Sequence, residues 1–119
     1  MEQTAFIFDF SQLQDITGDD IGLLDELLTD IVSQTALTLD SMEQQLARHE
    51  FDALKAAAHK FKSTLQYFGD NHLLKLMQRI ESEASSKKVQ ELERMIEESR
   101  HLGTGLISQC EKKLKDSVF

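Results

Sequence analysis

The sequence predicts an all-α protein, an antiparallel up-and-down four-helix bundle with a short N-terminal helix. Three observations carry that expectation. Apolar residues recur at three- and four-residue steps through four long stretches, the spacing of helices that bury one face. No stretch alternates apolar and polar residues as a half-buried strand would. The chain holds no proline and five glycines, and its apolar residues are mostly Leu, Ile, Phe, Met and Ala rather than Val, which favours helix over strand. Its 119 residues suit a single domain spanning 1–119, and 40 % hydrophobic with 29 % charged residues is the balance of a chain that folds around a core.

The lead-in covers residues 1–18. Its apolar stretch, residues 6–10, precedes Ser11, whose hydroxyl suits the cap of a short helical turn ending near Thr17 and Gly18. A long helix over about 19–48 then starts at Asp19 or Asp20, with Leu24, Leu27, Leu28, Ile31, Leu39, Met42 and Leu46 on one stripe. Asp25, Glu26, Asp30, Asp40 and Glu43 form its solvated face. The next helix, over 51–68, steps through Leu54, Ala58, Phe61, Leu65 and Phe68 and stops at Gly69. Asp70 or Asn71 caps a helix over 71–85 that carries Leu73, Leu76, Met77, Ile80 and Ala84. After a turn at residues 85–88, the last helix, over 88–116, carries Leu92, Ile96, Ser99, Gly103, Leu106, Cys110 and Leu114 on one face. Gly103 and Gly105 each cost about 1 kcal/mol relative to Ala inside a helix, and mark either a kink or a place where another helix packs closely. Short turns between long helices make sequential neighbours antiparallel.

Several function classes are excluded at this level. No apolar run approaches the roughly 18 residues of a membrane span, and the polar, acidic residues 1–3 lack the basic start of a signal peptide, so no membrane association and a cytoplasmic location are expected. A net charge of −8 argues against nucleic acid as a partner, because neutralising phosphates needs a basic face. Cys110 is the only cysteine and sits at an apolar helical position, which suits a buried structural thiol. A metal site in a helical bundle uses Glu-x-x-His spacing on facing helices. That motif is absent, and His49, His59, His72 and His101 place no two imidazoles on one face of one helix, so no metal is expected.

One histidine is out of place for a core residue. Projected at about 100° per residue, His59 points roughly 150° away from the centre of the Leu54, Ala57, Ala58, Phe61, Leu65 and Phe68 cluster. Lys55, Lys62, Ser63 and Gln66 stand beside it at helical neighbour spacings. An imidazole flanked by lysines four residues before and three after, on an otherwise acidic chain, suits a dianionic phosphoryl group. The bland alternative is an exposed histidine without a task.

The run Ala57-Ala58-His59-Lys60-Phe61-Lys62-Ser63, followed by Gly69, Leu73, Ile80 and Glu81, resembles the signature of histidine-containing phosphotransfer domains. That signature places an apolar residue two after the histidine, a lysine three after, a small residue four after and a glycine ten after, then an apolar residue near fourteen and an apolar-acidic pair at twenty-one and twenty-two. Every spacing is matched without a gap. A weaker resemblance runs through Phe8-Asp9, Gly18-Asp19 and the approach from His49 to Leu54. One position departs: the family's usual glycine after the lysine is Ser63, still small enough for a partner to approach.

The resemblance implies a phosphocarrier, not an enzyme. His59 would take a phosphoryl group on Nε2 from the aspartate of a response-regulator receiver domain and pass it to another receiver, downstream of a hybrid or sensor histidine kinase. Lys62 would stabilise the phosphoryl charge, and Glu81 would accept from Nδ1 to hold the ring. The Ser63 hydroxyl has two outlets, a phosphoryl oxygen or water. Lys55, Lys60, Gln66 and Tyr67 would contact the partner, each lysine being otherwise an ordinary solvated side chain and Tyr67 otherwise half-buried packing. Gly69 would be structural, ending its helix so that the next packs closely against it. The chain would work as a monomer without a cofactor, the receiver supplying Mg²⁺ and the catalytic groups, because phosphoryl transfer needs in-line positioning and charge stabilisation more than acid-base chemistry. The competing reading is a helical adaptor or regulatory module that binds a signalling partner and is not phosphorylated.

Overall fold

The structure is a computed structural model that describes residues 6–116; the first five residues of the lead-in and the last three of the chain lie outside it. The described residues are helical, without a strand: α1 is Ser11–Thr17, α2 Ile21–Ala47, α3 Phe51–Leu65, α4 His72–Glu83 and α5 Val89–Asp116, with single 3₁₀ turns at Gln66–Phe68 and Ala84–Ser86. Each long helix packs on the next, and α5 returns to pack along α2, the most extensive pairing.

The lead-in is fastened by side chains. Phe8 and Phe10 are buried and set their rings edge-on against Phe68, at centroid distances of 5.7 and 5.2 Å. The Phe8 backbone N–H donates to Gln109 Oε1 (2.8 Å), and Gln109 Nε2 donates to the Phe6 carbonyl (2.6 Å). One amide on α5 thus satisfies backbone groups that a segment outside any helix would otherwise leave open. Ser11 is not the cap of α1, as the sequence suggested: it is the first helical residue, and Phe10 holds the cap position with no side-chain hydrogen bond. The Asp9 carboxylate instead accepts from the Ser11 N–H (2.9 Å), which holds that carboxyl below its ordinary range. Asp20 does cap α2, accepting from the Leu23 N–H (2.9 Å).

The end of α2 is closed without glycine. His49 takes a left-handed φ of 57° while the Glu50 N–H reaches back to the Gln45 carbonyl and the His49 N–H to the Leu46 carbonyl, the two bonds of a Schellman motif. In α3, Leu54, Ala58, Phe61 and Leu65 are buried, and the stripe runs on through the 3₁₀ turn to Phe68. Gly69 needs its residue type for backbone reasons: at φ 68° and ψ −151° it occupies a region open to glycine almost alone. A Cβ there would meet nothing within 4 Å, so the glycine serves the turn that ends this helix, and α4 then packs along α3.

Asn71 joins α3 to α4. Buried, its side chain accepts from the Leu74 N–H (2.8 Å) and donates to the Leu65 (3.2 Å) and Gly69 (3.0 Å) carbonyls, so one residue caps the incoming helix and terminates the outgoing one. α5 runs unbroken through both glycines. Gly103 is the close-approach case: a Cβ would lie 2.4 Å from Leu39 Cδ1 and 3.4 Å from Thr35 Cγ2 on α2. Gly105 is not, with Gln109 Nε2 its nearest neighbour at 4.0 Å. Arg100 ties the same two helices from outside, Nε and Nη2 donating to Glu43 (2.8 and 2.7 Å) and Nη2 also to Asp40 (2.6 Å), and these carboxylates raise its pKa further. His72 and Glu98 meet at 2.7 Å between α4 and α5. Cys110 is buried, and desolvation pushes its thiol up to about 12, which suits an inert packing group.

Candidate functional site

The pitch of α3 sets the first half of the site. With Ala58 and Phe61 in the core, a residue between them must face outward, and the His59 side chain is 68 % exposed. Lys55, Lys60, Ser63 and Gln66 are exposed around it, and Lys62 lies closer in. The second half comes from α4. Its buried residues Met77, Ile80 and Leu73 face the core, which leaves Glu81, one residue past Ile80, on the border facing α3.

Glu81 is divided between two partners. Its Oε2 lies 2.6 Å from His59 Nδ1, and its Oε1 lies 2.6 Å from Lys62 Nζ. The Lys62 ammonium is the main reason that the Glu81 carboxyl is held below the usual carboxylate range; partial burial opposes this and His59 adds to it. An ionised carboxylate only accepts hydrogen bonds, so at neutral pH Nδ1 carries the proton of this contact. The lone pair of a neutral ring is then on Nε2, the nitrogen not held by Glu81. An imidazole thus stands on an open face with one ring nitrogen held by an acceptor from the neighbouring helix, and a cation sits on the same carboxylate.

The remaining residues singled out from sequence are distributed as follows. The Ser63 Oγ donates to the Lys60 carbonyl of its own helix (2.9 Å), a local bond that helical serines readily make and an outlet besides the two considered from the sequence. Lys60 is exposed on the far side of His59 from α4. Gln66 is exposed but belongs to the 3₁₀ turn, and Tyr67 is half-buried against the core, so its ring is largely a packing group. Lys55 lines an open groove of about 270 Å³ between α3 and α4 together with Lys62, Gln78, Glu81 and Ser82. Gln78 and Ser82 escaped sequence reasoning. Gln78 stands three residues before Glu81, so the helical step that placed Glu81 at the site also places Gln78 on its face.

A larger groove of about 720 Å³ lies between the lead-in and the end of α5, lined by residues such as Ile7, Gln14, Gln109 and Lys112. None of its lining groups reaches His59. Among the described residues, no three His, Cys, Asp or Glu side chains gather where they could hold a metal ion, and no helix is long and apolar enough to cross a membrane.

The family model for the Hpt domain matches residues 23–102, from the first turn of α2 to the middle of α5, and so contains His59, Lys62 and Glu81. This chain belongs to the Hpt domain family. Hpt domains are helical phosphocarrier modules rather than enzymes, and they work with receiver domains and histidine kinases in two-component signalling. The lead-in and α1 of this Hpt domain precede the matched residues. Neither the curated proteins nor the solved structures compared with it gave a match.

Proposed function

We propose that this Hpt domain is a phosphorelay intermediate, accepting a phosphoryl group on His59 from the aspartate of one receiver domain and passing it to another. The observation that carries the reading is the commitment of His59 Nδ1 to an ionised Glu81 while the rest of the ring stays exposed. The Nε2 lone pair attacks phosphorus in line as the bond to the receiver aspartate breaks, and that carboxylate leaves with the bonding pair. The ring, still protonated on Nδ1, becomes a phosphoimidazolium, and Glu81 already stands against the new positive charge. Lys62 lies on the same carboxylate, where its ammonium favours the phosphoryl oxygens. Transfer back to a receiver reverses these steps. The reading assigns Mg²⁺ to the receiver and no cofactor to this chain.

Lys60 and Gln66 are the exposed partner contacts in this reading, with the edge of Tyr67, and Ser63 leaves the approach to His59 low. The four long helices form an antiparallel up-and-down bundle, supported by short connections and by the packing of each long helix on the next. A monomeric, cytoplasmic domain is part of the same proposal.

The test is transfer from a phosphorylated receiver domain with Mg²⁺. Label is expected on one histidine, labile to acid and stable to alkali. His59→Gln should abolish it with the helical circular dichroism unchanged. Label that survives, or that sits on His49, His72 or His101, overturns the assignment. A chain that binds the receiver and is never labelled is an adaptor.

A further inference from the structure

The two lysines of the groove beside His59 are in different states. Lys62 is joined to Glu81 at 2.6 Å, so its charge is already matched by a carboxylate held in its ionised form. Lys55 is exposed on the same groove and, among the described residues, has no ion-pair or hydrogen-bond partner. At about 100° per residue, Lys55 and Lys62 lie roughly 40° and 60° round from His59 on one side, toward α4, whereas Lys60 lies about 100° round on the other. Along the axis they bracket the imidazole, Lys55 about 6 Å before it and Lys62 about 4.5 Å after it, distances that a four-carbon stem spans.

Charge balance gives the free lysine a task. A fully ionised phosphoryl group carries about two negative charges. The protonated ring offsets one of them, and Glu81 and Lys62 offset each other. The phosphorylated site is therefore left one positive charge short. Resting on the phosphotransfer reading, we propose that Lys55 is the second phosphoryl-binding cation of this site, folding over the phosphoryl oxygens on His59 Nε2 from one helical turn away. Across the groove, the Gln78 carboxamide is a neutral donor that lines the same space. Ser82 is less suited, because its hydroxyl donates to the Arg79 carbonyl (3.1 Å). Lys55 thus acts on the carried group and not only on the partner.

This is tested without any receiver. Phosphoramidate labels the full chain on His59: its P–N bond breaks, ammonia leaves and the P–Nε2 bond forms. The second ionisation of the phosphoryl group is then followed by ³¹P NMR. Lys55→Gln should raise the midpoint by about half a pH unit, because the dianion loses a contact cation, and shorten the phosphohistidine lifetime about twofold. Lys60→Gln removes the same charge from the other side and should move the midpoint by less than half as much. Lys55→Arg should restore the wild-type midpoint. Equal shifts from Lys55→Gln and Lys60→Gln, or none from either, overturn the proposal. So does a Lys55→Gln protein that slows exchange with a receiver while its midpoint stays in place, since Lys55 is then a docking contact. Failure of the relay reading looks different: the labelled wild type would refuse exchange with receivers while the Lys55 effect on the midpoint remained.

Discussion

Replacing each glycine of α5 by alanine should move stability in opposite directions. At Gly103 the new Cβ would stand 2.4 Å from Leu39 Cδ1, where carbon atoms in contact keep about 3.5–4.0 Å, so more than an ångström of overlap must be relieved. Leu39 is fully buried and cannot swing into solvent, so α2 and α5 must separate or Leu39 must leave its rotamer. Overpacking of this kind costs about 1–3 kcal/mol, against about 1 kcal/mol recovered by alanine's better helix propensity. Gly103→Ala is therefore expected to be less stable by about 1 kcal/mol. At Gly105 the Cβ meets only Gln109 Nε2 at 4.0 Å, an ordinary contact. Only the propensity gain is left, and Gly105→Ala should be more stable by about 1 kcal/mol. Urea unfolding followed by circular dichroism at 222 nm measures both. Because both substitutions change glycine to alanine in the same helix, the unfolded-state contribution largely cancels, and the difference of about 2 kcal/mol isolates the helix contact. Midpoints displaced in the same direction by the same amount would show that Gly103 does not set the α2–α5 spacing.

The other expectations concern the site. In a ¹³C titration, the Glu81 carboxyl should have a midpoint below the ordinary 4.5, and Lys62→Ala should raise it more than His59→Gln does, because the lysine is the larger cause of its depression. With a folded value below the unfolded one, the carboxylate's contribution to stability is present above the unfolded value and lost as pH falls through the folded one, so the contact should persist at neutral pH and fail only in acid; a midpoint indifferent to Lys62→Ala would refute the pairing. Lys62→Ala should slow transfer from a receiver several-fold more than Lys88→Ala, in a turn away from the groove, and equal effects would reduce the role of Lys62 to diffuse electrostatics. At Ser63 size should matter more than the hydroxyl, which is already given to Lys60. Ser63→Gly should keep transfer nearly intact at a helix cost of up to about 1 kcal/mol, whereas Ser63→Leu should weaken receiver binding and transfer in a folded protein; a leucine variant that transfers as fast as wild type would move the docking face elsewhere.

Much of this Hpt domain was legible in one dimension. The helices, the buried stripe through Leu54, Ala58, Phe61, Leu65 and Phe68, and the exposure of His59 follow from the 3.6-residue period, which fixes faces whatever the helix packs against. The lysines beside His59 were legible for the same reason, since neighbours at three and four residues share a face in any helix. Asn71 was readable, with Asp70, as a candidate cap because a cap bonds two or three residues along its own chain. The tertiary structure decided what depends on how helices are placed against one another. It set one Glu81 carboxylate between His59 and Lys62, and so fixed which ring nitrogen is held. It opened the groove shared by Lys55 and Gln78, fastened Phe6 and Phe8 to Gln109, and closed Arg100 onto Asp40 and Glu43. It also resolved the two glycines of α5, which look alike in sequence: only Gly103 faces α2. Local periodicity specifies where a side chain points. What it meets there is set by the offset and rotation of the facing helix, and these come from the packing of the whole core.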